Sequence, residues 1–164
     1  MAALLLFVLA ADALDVAKNY QKLRPVPPGA QVPDSRFTLL DGSRIRLADF
    51  SGKVILLSFW ATWCPTCRRE MPVLDKLQKE YSDAGLIVIG MNRNDQDEYR
   101  EVKAFVQKHG YSYRQAWSSY KYTQHFKVKT LPTTVLIDRQ GRIVDLMVGA
   151  VSESTLRDKI GGLL

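Results

Sequence analysis

The stretch L-S-F-W-A-T-W-C-P-T-C-R-R-E-M-P, residues 57–72, holds the chain's only two cysteines, Cys64 and Cys67. A pair with two residues between them could be a structural staple, half of a metal site or a reactive dithiol. A disulfide stabilises chiefly by closing a loop, and the gain grows with loop length, so a staple across two residues achieves almost nothing. A zinc site wants four ligands, usually as two spaced pairs. The other soft candidates, His109 and His125, are 16 positions apart and pair neither with each other nor with the cysteines. The spacing suits a reactive dithiol. At a helix start, residues i and i+3 lie on one side, within disulfide reach, and the free amides and positive end of the helix favour a thiolate. Pro65 fits the first helical turn, where its missing N–H is no loss. Arg68 and Arg69 add positive charge. Such a pair takes two electrons from one partner and passes them to another by thiol–disulfide exchange.

The elements that must hold this pair are legible around it. Lys53–Trp60 (KVILLSFW) is a continuous apolar run, the pattern of a strand covered on both faces. Cys64–Tyr81 reads as a helix with Met71, Leu74, Leu77 and Tyr81 on one face and Pro72 as a kink. Leu86–Met91 is a second buried strand and Glu98–His109 a second helix, with Val102, Phe105 and Val106 facing inward. Tyr120–Phe126 reads as a short helix. Thr133–Asp138 and Arg142–Val148 form a hairpin around Gln140-Gly141, and Ser152–Ile160 is a closing helix capped by Ser152. Upstream, Phe37–Leu40 and Ser43–Leu47 flank Asp41-Gly42, a two-residue turn signal. Ile45 and Leu47 alternate with Arg44 and Arg46, so this hairpin has a wet face and lies at a sheet edge. Strands alternating with helices imply an α/β domain with a parallel core, to which the last hairpin adds antiparallel strands.

A length of 164 residues suits one domain, and 46% apolar with 24% charged residues is the balance of a globular protein. The net charge of +6 is spread over Lys18, Lys22, Arg24, Arg68, Arg69, Lys121, Lys127 and Lys129 rather than packed into a run. That is a solvated surface with a mild bias toward acidic partners; no nucleic-acid motif accompanies it. Met1–Ala13 contains eleven consecutive apolar residues, too few for a bilayer span of about 20. It reads as the apolar region of a secretory signal, with Ala11-Asp12-Ala13 as a small-x-small cleavage site, though the usual preceding basic residues are missing. Asp15–Arg24 reads as a short amphipathic helix and Pro25–Gly29 as a linker. Residues 1–30 are therefore expected to be a signal or anchor remnant with linker, and residues 31–164 the domain.

Together these residues resemble the thioredoxin superfamily, and within it the TlpA/ResA-like branch of extracytoplasmic thiol–disulfide oxidoreductases. Phe59–Cys67 (FWATWCPTC) is similar to that branch's active-site signature, and its Pro-Thr dipeptide is similar to that of DsbE/CcmG-type proteins of cytochrome c maturation. Glu70-Met71-Pro72 matches the usual continuation. Leu39–Leu56 resembles the hairpin preceding the core, and Leu131-Pro132-Thr133-Thr134 the loop whose proline is cis in the family. The likeness runs from about Val32 to the C-terminus. It implies a thioredoxin fold with an N-terminal β-hairpin and a central insert (Asn92–Tyr113), a mixed sheet flanked by helices, and no cofactor beyond the redox-active Cys64–Cys67 disulfide. Cys64 would attack a partner's disulfide and a buried Cys67 would resolve the mixed disulfide. Trp63, Pro65, Thr66, Leu131 and Pro132 would face the substrate, with Trp63 exposed and Trp60 buried. Where cytosolic thioredoxins carry a buried aspartate six residues before the first cysteine, this chain has Ser58. Asp95 in the insert is the nearest match to an acid serving proton transfer in ResA-like proteins. The implied partners are protein substrates with disulfides or thiols, apocytochrome c among them, and an upstream membrane electron donor, all outside the cytoplasm.

Two other functions use the same fold. A thiol peroxidase of the peroxiredoxin class places a threonine three residues before its reactive cysteine, where this chain has Ala61 and carries Thr62 one place too close. A non-enzymatic thioredoxin-like binding module would tolerate loss of Cys64.

Overall fold

The computed structural model describes residues 26–32, 35–93, 96–118 and 120–164. The expectations for Met1–Ala13 and Asp15–Arg24, and for Asp95, lie outside the described residues.

Seven strands form one mixed sheet. In chain order they are β1 (Arg36–Leu39), β2 (Arg44–Arg46), β3 (Val54–Trp60), β4 (Leu86–Arg93), β5 (Arg114–Ser118), β6 (Thr133–Ile137) and β7 (Ile143–Val148). Across the sheet the order is β2-β1-β5-β4-β3-β6-β7. β3 runs parallel to β4 and β4 to β5, while β6 and β7 are antiparallel beside β3, as the sequence pattern implies. The helices are α1 (Pro65–Tyr81), α2 (Tyr99–His109), α3 (Tyr120–His125) and α4 (Glu153–Gly161).

β3 is buried along its whole length, and its alternation divides the core in two. Val54, Leu56 and Trp60 face a cluster with Cys67, Met71, Leu74 and Leu77 of α1, Val102 of α2 and Leu156 of α4. Ile55, Leu57 and Phe59 face the other side, against Phe37, Leu39, Leu47 and Phe126. Each fully buried side chain of this size contributes about 1.5–3 kcal/mol, so β3 is the anchor for both layers. The dithiol hangs from its C-terminal end.

Three boundaries differ from expectation. The first hairpin has a three-residue connection: Thr38 pairs with Arg44, Leu39 N–H donates to Ser43 O, and Leu40, Asp41 and Gly42 lie between. Gly42 supplies the left-handed φ of 89° that this tighter twist demands. Leu47 belongs to a 3-10 turn, Leu47–Phe50, rather than to β2. β5 has no counterpart in the sequence reading. Its segment RQAWS carries little strand signal, because its two buried positions are Gln115 and the small Ala116. Gln115 fits because Gly90 is its cross-strand partner on β4; a Cβ at Gly90 would collide with the Gln115 amide. Gln115 Oε1 in turn accepts from Trp60 Nε1 at 3.1 Å.

The chain enters the described domain at the end of the sheet opposite the dithiol. Gly29 N–H donates to Ile143 O and Val32 N–H to Gly141 O, beside the β6–β7 turn. Val26 and Val32 pack on the second core layer.

Candidate functional site

β3 ends at Trp60, and Ala61–Trp63 turn the chain into α1, with Cys64 N–H donating to Ala61 O at 3.2 Å. Cys64 is the N-cap of α1 rather than its first residue; its Sγ accepts from Cys67 N–H at 3.2 Å, and Pro65 opens the helix. Cys64 and Cys67 are joined as a disulfide, 5% and 2% exposed respectively. A sulfur at an N-cap sits among the unsatisfied amides and positive pole of a 17-residue helix, which stabilises charge on Cys64 Sγ when the bond opens.

The two tryptophans divide as the sequence suggested: Trp60 lies in the core and Trp63 is 48% exposed beside the dithiol. Thr66 accepts a hydrogen bond from Arg69 Nη2. The Arg68 guanidinium lies 5.5 Å from the Phe105 ring centre, so α2 holds its charge at the helix start. The Leu131–Pro132 peptide is cis. Leu131 packs against the cluster containing both cysteines, and Pro132 O accepts from Gly149 N–H. Ser58 is buried on β3.

Two acids missed by the sequence reading border the dithiol. Asp97, 7% exposed, comes from the central insert. Its carboxylate accepts from Thr62 N–H at 2.9 Å, Thr62 Oγ1 at 2.5 Å and Asn92 Nδ2 at 2.7 Å. The nearest match by resemblance, Asp95, lies outside the described residues; among those described, the acid that reaches the dithiol loop is Asp97, two residues on. Glu70 stands one helical turn after Cys67, buried on the face of α1 that packs into the core. Oε1 accepts from Val151 N–H at 3.1 Å, while Oε2 has no partner among the described residues. Burial raises the Glu70 pKa, and the Val151 bond only partly opposes this. A glutamate on an otherwise apolar helical face, at i+3 from a cysteine, was a signal available in the sequence. Among the described residues no group of three or more His, Cys, Asp or Glu is placed to hold a metal ion.

A mixed sheet whose central strand delivers a buried Cys-x-x-Cys disulfide to a helix N-terminus, opposite a cis-proline loop, defines a thioredoxin-fold thiol–disulfide oxidoreductase. The chain belongs to the Redoxin family, whose pattern matches residues 27–160. It is 32% identical over 159 residues to the thioredoxin-like protein YneN of Bacillus subtilis, covering 96% of this chain and 93% of that one. It is 33% identical over 129 residues to the thiol-disulfide oxidoreductase ResA of Bacillus anthracis, covering 78% and 73%. Among solved structures, a secreted thiol-disulfide isomerase from Corynebacterium glutamicum superposes with a TM-score of 0.74 at 27% identity, over 81% of this chain and 84% of that chain.

Proposed function

We propose that the protein reduces disulfides of other proteins outside the cytoplasm, with apocytochrome c as the leading substrate. The observation that carries the reducing direction is Glu70. A buried carboxylate one turn from Cys67 opposes a second negative charge there, and helix residues three apart stand about 5–6 Å apart at Cβ. Disfavouring the thiolate destabilises the reduced pair, which makes that pair a better electron donor. The thiolate-favouring helix pole at Cys64 lets one sulfur attack, while Glu70 keeps the pair from resting in the reduced state.

The steps balance as two electrons and two protons. Cys64 thiolate attacks one sulfur of the substrate disulfide, forming a mixed disulfide and releasing the other sulfur as a thiolate that takes up a proton. Cys67, deprotonated, attacks Cys64 Sγ, closing the internal disulfide and releasing the second substrate thiol. A membrane electron donor then reduces Cys64–Cys67 again. The dithiol is the only redox group this scheme needs. Trp63, Thr66 and Leu131 form the substrate-facing rim, and Pro65 and Pro132 shape it. The export reading is supported by Met1–Ala13 and by the extracytoplasmic branch that the motifs resemble.

The test is the reduction potential of the Cys64–Cys67 couple, by equilibration in dithiothreitol buffers and thiol trapping. A value near or below about −270 mV agrees with a reductase. A value near about −120 mV makes the protein a disulfide donor and overturns the direction.

A further inference from the structure

The β1–β2 hairpin carries a charge arrangement that folding does not favour. Arg36 is directly opposite Arg46, and Arg44 lies two residues along the same outward face, opposite Thr38. All four are exposed, while Phe37 and Leu39 point the other way into the core. Like charges directly across a strand pair oppose pairing. Asp49 pairs with Arg46, its carboxylate on the Arg46 backbone and guanidinium at 2.8–3.1 Å, and attracts Arg36 at longer range. Arg36 and Arg44 have no ion-pair partner among the described residues. The three arginines border an open cleft of about 470 Å³.

One row of the sheet joins the hairpin to the dithiol, exposed at Arg44 and Thr38 and buried at its far end, Asn92 and Trp60. Arg44, Thr38, Trp117, Asn92 and Trp60 are successive cross-strand partners. Four spacings of about 4.8 Å put Arg44 about 19 Å from Trp60, four residues before Cys64. Trp117 and Tyr99 pack edge to face at 5.3 Å in between, with Tyr99 39% exposed. Arginine with tryptophan and tyrosine is the composition of protein-recognition hot spots.

We propose that the outward face of the β1–β2 hairpin docks an acidic segment of the protein whose disulfide Cys64 attacks, a reading that rests on the dithiol-exchange function above. At about 3.3 Å per extended residue, carboxylates about six positions from the attacked cysteine reach Arg44. The arginines steer and select the partner, and the dithiol does the chemistry.

The test uses the full chain, reduced beforehand, in single-turnover mixing with two peptides. Each peptide has an internal disulfide and, six residues from it, three glutamates or three glutamines. The wild type reduces the Glu peptide about tenfold faster at low salt, and the two rates converge as salt rises toward about 0.5 M. The variant R36Q/R44Q/R46Q reduces both peptides at the wild-type rate for the Gln peptide. Equal wild-type rates, or a preference that survives in the variant, overturn the proposal. So does salt-sensitive binding of the wild type to phosphatidylglycerol vesicles without any peptide preference, which would assign the face to a lipid surface. If the reduced wild type turns over neither peptide, the dithiol-exchange reading itself fails and takes this one with it.

Discussion

The carboxylate of Asp97 grips Thr62 twice, at its amide and at its hydroxyl, two residues before Cys64. The turn from β3 into α1 has few backbone bonds of its own, so the insert reaches across the sheet to hold it. Asn92 fixes the carboxylate in turn, at 2.7 Å. The insert thus serves as a brace for the dithiol loop.

Asp97→Ala removes an acceptor shared by three donors in a site that is nearly closed to water. Hydrogen bonds to a charged group are worth about 1.5–3 kcal/mol each, and partial relaxation offsets some of that. We expect a loss of about 3 kcal/mol, read as a fall of about 10 °C in the melting midpoint of the oxidised protein. Asp97→Asn, which keeps an acceptor, falls by about half as much. A shift below about 2 °C for the alanine variant would show that the grip on Thr62 is idle.

Glu70 sets a pH dependence whose sign follows from its raised pKa. The folded state binds its proton more tightly than the unfolded state, so native protein carries more protons between the ordinary glutamate value near 4.5 and the raised one. Stability from this group is full below the ordinary value and is lost as pH rises through the raised one. Glu70→Gln removes that slope, and urea midpoints measured across pH should show the variant gaining on wild type as pH rises. In the reduced protein the same substitution removes a like charge from beside Cys67. Alkylation by iodoacetamide should then titrate at lower pH, by on the order of one unit. An unmoved alkylation profile would detach Glu70 from the dithiol.

Much of this was legible beforehand, and the losses have physical causes. The largely apolar runs of β3 and β4, the 3.6-residue face of α1, and the Cys-Pro-Thr-Cys spacing each carry their own signal, and each stands close to where it was expected. β5 was invisible because its buried positions are an alanine and a glutamine, the latter accommodated only by a glycine 25 residues upstream on a neighbouring strand. Asp97 looks like any loop acid until Asn92 and Thr62 close around it, which is long-range information. Glu70 was different. Its place on the apolar face could have been counted from the sequence, and its burial follows from that face alone.

Gly90→Ala tests the β4–β5 pairing. The added methyl meets the Gln115 amide, which cannot withdraw without giving up Trp60 Nε1. Overpacking a closed site costs about 1–3 kcal/mol. We expect a loss toward the upper end of that range by urea denaturation, and only partial recovery in Gly90→Ala/Gln115→Ala, where the obstruction is gone but Trp60 Nε1 has lost its acceptor. A single variant as stable as wild type would mean that the sheet opens readily at this point.

The roles of the two cysteines separate when only one is removed. Cys67→Ser leaves Cys64 at the helix cap, where amides and dipole still stabilise its thiolate. The first exchange proceeds, but the resolving sulfur is missing, so the reaction halts at a mixed disulfide between Cys64 and the substrate. A reducible adduct should accumulate on non-reducing gels when the reduced variant meets a disulfide-bonded protein. Cys64→Ser should form little adduct, because Cys67 lies one turn inside the helix and is 2% exposed. Adducts forming chiefly through Cys67 would exchange the two roles and make the buried sulfur the nucleophile.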